Sequence, residues 1–104
     1  MATKKSVKTM GTTDQNKCKE VVPDVVMFGD DLFKLLSKAS SENEGWLKST
    51  KAMETTKGCV VQVTTQQRNS DGSYAIAEAV TFVPGVRIKE EFDRSGKIIG
   101  RRLK

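Results

Sequence analysis

Two spacings of apolar residues divide this chain. Between residues 30 and 42, Leu32, Phe33, Leu35, Leu36 and Ala39 recur at helical intervals, with Lys34 and Lys38 outside the stripe. Gly29 or Asp30 can cap such a segment, Asp31 suits its positive first turn, and "SSENEG" with Gly45 ends it. The pattern predicts a helix over residues 30–42. A short apolar run at 25–28, after Pro23, reads as a strand or as the staple before that helix. Beyond Gly45 the period becomes two. In "GWLKSTKAMET" Trp46, Lys48, Thr50, Ala52 and Glu54 alternate with Leu47, Ser49, Lys51 and Met53. Strand is favoured over helix there, because a glycine precedes the segment and "TTKG" resembles a hairpin turn. "CVVQVTTQQ" sets Cys59, Val61, Val63 and Thr65 against Val60, Gln62, Thr64 and Gln66. "YAIAEAVTFV", "VRIKEEFD" and "IIGRRLK" follow, separated by "RNSDGS", "PG" and "RSGK". The expected fold class is α+β, with one N-terminal helix packed on a four- or five-stranded antiparallel meander sheet.

One side chain disturbs this scheme. Tyr74, Ile76, Val80 and Phe82 form a bulky row with Glu78 in its middle, and Ala75, Ala77, Ala79, Thr81 and Val83 form the opposite row. A four-residue turn at 69–72, or a two-residue turn at Asp71 and Gly72, pairs Val63 with Glu78 or its neighbour on the same face. Either version joins the bulky row to the Val61 and Val63 row. A tight hairpin at Pro84 and Gly85 instead places Val86, Ile88 and Phe92 on the alanine side. Because Pro-Gly favours a type II turn that splays strands, an irregularity near 83–86 and a core on the bulky side are expected. Were the alanines covered instead, the bulky row would be an exposed patch of the kind that marks an interface. A catalytic role for Glu78 carries the least weight, since no second acid or Gly-rich loop accompanies it.

Composition narrows the chemistry. The 104 residues suffice for one domain, and hydrophobic residues are 37% of the chain, enough for a small core. Residues 1–20 read as a disordered basic leader, and residues 21–104 as a single α+β domain. There is no histidine, which removes the usual general base and metal ligand, and no catalytic, metal or cofactor site is expected. The two cysteines, Cys18 and Cys59, read as free thiols of a reducing compartment. No apolar run reaches the roughly 20 residues of a membrane helix, so no membrane partner and a cytoplasmic location are expected. The net charge of +5 is uneven: residues 85–104 hold seven basic groups against Glu90, Glu91 and Asp93. Lys97, Arg101, Arg102 and Lys104 are the candidates for contact with an acidic partner.

Residues 48–88, "KSTKAMETTKGCVVQVTTQQRNSDGSYAIAEAVTFVPGVRI", resemble small accessory proteins of tailed bacteriophages. The resemblance implies no catalytic residue. It implies a phage-encoded chain in the host cytoplasm that acts by binding a macromolecule. The sequence thus points to a small non-enzymatic binding protein that docks a host or phage protein, with its oligomeric state open. Its candidate contact residues are Tyr74, Ile76, Glu78, Val80 and Phe82, together with the polar row Gln62, Thr64 and Gln66. The alternatives are a nucleic-acid-associated protein using the basic ends, which would lose affinity steeply with salt, and a minor virion component, which would need a self-association surface.

Overall fold

The segment expected to be a helix is a strand. In the computed structural model, which describes residues 15–104, strand β1 (Lys34–Ser41) pairs antiparallel with β2 (Trp46–Glu54). The register between them shifts between Leu35 and Ser37, so Leu36 is an inserted residue. That bulge explains the misleading stripe. Two adjacent leucines break a period of two, and the eye completes them into a period of 3.6. "SSENEG", expected to end a helix, is the turn between β1 and β2, where Gly45 N donates to Ser41 O at 2.8 Å.

The α+β class is therefore overturned. Among the described residues the fold is mostly β, with six strands in two antiparallel sheets. The larger sheet runs β1-β2-β3-β4 in spatial order, with β3 at Gly58–Arg68 and β4 at Tyr74–Pro84. The smaller is the hairpin of β5 (Ile88–Phe92) and β6 (Ile98–Leu103). The chain divides into two compact units at Leu32 and Phe33. In the first, helix α1 (Gln15–Val21) includes residues assigned above to the leader, and the rest of that leader lies outside the described residues. The expected helix over 30–42 is absent, α1 has only seven residues, and no helix among the described residues is long and apolar enough to cross a membrane. Residues 25–28 are irregular, with Val26 and Phe28 fully open to solvent.

The strand expected for "GWLKSTKAMET" is present as β2, and "CVVQVTTQQ" is an interior strand, not an edge. Within the second unit, burial concentrates on β2 and the start of β3: Leu47, Ser49, Lys51, Ala52 and Cys59 are buried, Ala52 and Cys59 completely. Both cysteines are unbridged.

The connection after β4 differs from both versions considered above. Gly85, at φ +76°, takes the chain out of the sheet, and β5 pairs with β6 instead of β4. Val86 crosses the alanine side, where its carbonyl accepts from Cys59 Sγ at 3.5 Å. Glu54 then fastens the segment through both carboxylate oxygens, to Ile88 N at 2.7 Å and Arg87 at 3.2 Å, while Arg87 also donates to Thr55 O. At the opposite edge of the sheet, Arg101 of β6 donates to Leu35 O of β1 at 3.0 Å and pairs with Glu90 at 2.9 Å. The C-terminal hairpin thus attends β1, and β4 is left as the open edge.

Candidate functional site

Turn length decides which side chains β4 presents with β3. Asn69 N donates to Ser73 O at 2.7 Å and Gly72 N to Asn69 O at 3.0 Å, with Gly72 at φ +89°. This is a three-residue loop closed by a left-handed glycine. It differs by one residue from each of the two turns considered from the sequence, and one residue reverses the faces. Glu78 stands opposite Thr64, Ile76 opposite Gln66, Val80 opposite Gln62 and Phe82 opposite Val60. The bulky row of β4 is not core: Ile76 is 61% exposed, Val80 62% and Phe82 48%, and the buried side chains on this face are Leu47, Ser49 and Lys51 of β2.

The correction gathers the candidate contact residues. Tyr74, Ile76, Glu78, Val80 and Phe82 lie on the same face as Gln62, Thr64 and Gln66, as neighbouring rows of one surface. Gln62 Nε2 donates to Glu78 Oε1 at 3.4 Å, a diagonal contact that draws the carboxylate toward the polar row. The result is an apolar strip of two aromatics and two aliphatics, interrupted by one acid and flanked by amide and hydroxyl groups. Such a surface can bury apolar area and place a few directional hydrogen bonds, which is how protein contacts combine affinity with specificity.

The backbone of β4 adds a second element that side-chain patterns did not disclose. Gly85 N donates to Lys57 O at 2.9 Å, so the odd-numbered residues of β4 turn their backbone groups to β3, as the bond at Ser73 also requires. The N–H and C=O groups of Ile76, Glu78, Val80 and Phe82 therefore point to the open edge. Pro84 has the same parity, so its missing N–H costs the ladder nothing.

The basic candidates are arranged differently. Arg101 is tied to Glu90 and Leu35, and Arg102 pairs with Glu91 at 3.3 Å. Lys104 closes the hairpin through backbone bonds with Arg87 at 3.0 Å, and Lys97 N donates to Asp93 at 3.0 Å. Two of the four side-chain charges are thus matched by acids on β5, which weakens their pull on an acidic ligand.

On the opposite face, a shallow open depression of about 400 Å³ is lined by Trp46, Lys48, Thr65, Gln67, Ala75 and Ala77. Lys48 Nζ sits 5.5 Å from the Trp46 ring centroid, a cation–π contact at the mouth. Sequence reasoning passed over this hollow, although Trp46 and Lys48 share a row and the small alanines across from them supply the space. Among the described residues no cluster of His, Cys, Asp or Glu could hold a metal ion.

The Lockin family model matches residues 5–99, nearly the whole chain, and the chain belongs to the Lockin family. No curated protein and no solved structure matches it.

Proposed function

We propose that this Lockin-family chain is a non-enzymatic binding protein that docks another protein on the β3–β4 face. The observation that carries the reading is the exposed row Ile76, Val80 and Phe82 lying beside Gln62, Thr64 and Gln66 on one face of the sheet. A row of large apolar groups left open in so small a protein is the kind of surface a partner covers. The resemblance of residues 48–88 to tailed-phage accessory proteins makes a host or phage protein the partner class.

A photo-crosslinking residue at position 64 tests the reading against the same residue at position 65, on the opposite face. In the producing cell, position 64 is expected to yield a discrete adduct with a second protein species that weakens with Ile76→Lys. Equal labelling from both positions, or none from position 64, would overturn it.

A further inference from the structure

We propose that a second copy of this chain pairs with the β4 edge, antiparallel and about a twofold axis at Glu78, to give one continuous eight-stranded sheet. This rests on the docking reading only in using the same strand: the edge backbone joins the copies, and the β3–β4 face is doubled rather than consumed.

Three observations converge on it. The first is the edge itself. β4 is an eleven-residue strand with exposed apolar side chains, and edges of this kind accept another strand unless a charge, bulge or cover blocks them. The C-terminal hairpin, which could have supplied a cover, is tied to β1.

The second is the order of side chains. Read outward from Glu78 in both directions, residues 74–82 match in type at three of four steps, and at the other a small Ala stands against Thr. Ala77 mirrors Ala79, Ile76 mirrors Val80, Ala75 mirrors Thr81, and Tyr74 mirrors Phe82. Antiparallel pairing about a twofold axis sets each residue opposite its mirror in the other copy. Aromatic then meets aromatic, aliphatic meets aliphatic, and small residues meet on the far face. An isologous contact requires this self-complementarity, whereas a strand meant for an unrelated partner has no need of it.

The third is parity. Of the two ways an axis can meet the strand, only one that pairs even-numbered residues with even-numbered residues can form a ladder, because those residues direct their backbone groups outward. The axis at Glu78 satisfies this condition. It makes Ile76 face Val80 and Glu78 face its own copy, each facing pair exchanging two hydrogen bonds. Shifting the axis to Ala77 or Ala79 keeps the parity but sets the carboxylate opposite Ile76 or Val80 and loses the mirror.

Glu78 sets the strength of the contact. Two carboxylates face each other at the axis, and like charges directly opposite in a sheet are unfavourable. The Gln62 bond turns each carboxylate toward its own β3 and moderates this. The contact is also narrow. Nine residues span about 30 Å, and a sheet is about 10 Å thick, so the two edges bury on the order of 600 Å². Standard stable interfaces bury about 1,200 Å² or more, so the dimer is weak and concentration-dependent.

Sedimentation of the full chain from about 5 μM to 1 mM should show reversible dimerisation in the micromolar to sub-millimolar range. Glu78→Gln is expected to tighten it about two- to fivefold. A mixture of Glu78→Lys with the native chain should form a heterodimer tighter than either homodimer. Val80→Pro removes an outward N–H while sparing the β3 ladder, and should leave a folded monomer with at least tenfold weaker association. If that variant unfolds, the charge mixture still decides. A chain that stays monomeric at 1 mM, or a mixture no tighter than its parents, would overturn self-pairing. Either result leaves the docking reading to stand or fall on the crosslink at position 64, which reports the β3 face alone.

Discussion

At Gly72 the backbone takes φ +89°, with nothing within 4 Å of where a Cβ would stand. Gly72→Ala should therefore cost only the conformational penalty of a left-handed residue, about 1 kcal/mol in urea unfolding. Gly58 is the opposite case. A Cβ there would collide with Val83 O and meet Pro84 Cα at 2.8 Å, so Gly58→Ala must push β4 away from β3, and a loss of about 2 kcal/mol or more is expected in the same measurement. The loop acids act through hydrogen bonds. Asp71 is held below the ordinary aspartate value of 3.8, first by the Ser73 hydroxyl, and Asp93 likewise by the Ser95 hydroxyl and then the Lys97 N–H. A carboxylate with a lower pKa in the folded chain contributes stability above its unfolded value, and the contribution disappears as pH falls through the folded value. Both loops should hold at neutral pH and loosen only below about pH 4. Carboxyl titrations by NMR are expected to give midpoints below 3.8 for both, and Asp93→Asn should remove its share of the acid response.

At the scale of elements, the two hairpins repeat one design. Asp93 N donates to Lys97 O at 2.9 Å and Gly96 N to Asp93 O at 3.1 Å, with Gly96 at φ +89°, as at Asn69, Gly72 and Ser73. The period-two segments of β2, β3 and β4 and the glycine turns between them were legible in the sequence, because alternation and left-handed glycine are local signals. The register of β4 was not. "NSDGS" accommodates loops of two, three or four residues, and only the three-residue loop puts the bulky row beside Gln62 and Thr64. Nor was β1 legible, since Leu35 and Leu36 around a bulge imitate a helical stripe, and its pairing with β2 outweighs local propensity. The separation of β5 from β4 depended on Glu54 and Arg101, long-range bonds that no spacing announces. Arg101→Gln should break the Glu90 pair within the hairpin and release the hairpin from Leu35, at about 1–3 kcal/mol. Amides of β6 should then exchange faster, while those shared by β2 and β3 stay protected.

For the whole molecule, these placements define a sheet with one occupied edge and one open edge. β1 is attended by the C-terminal hairpin, whereas β4 offers its backbone outward and its bulky row to one side. The candidate contact residues became a single surface because the loop sets the bulky row beside Gln62 and Thr64, while burial in the second unit concentrates on β2 and the start of β3, which made Glu78 an interruption in an exposed strip instead of a buried anomaly. Docking of a partner and pairing of copies both depend on that exposure and on the loop that sets it. Residue-resolved amide exchange along β4 tests this most directly. In dilute solution Ala75, Ala77, Ala79 and Thr81 should be protected by β3, while Ile76, Glu78, Val80 and Phe82 exchange quickly. The latter set should gain protection as concentration rises. Protection of the even-numbered amides with exposure of the odd-numbered ones, or uniform protection at every concentration, would contradict the account.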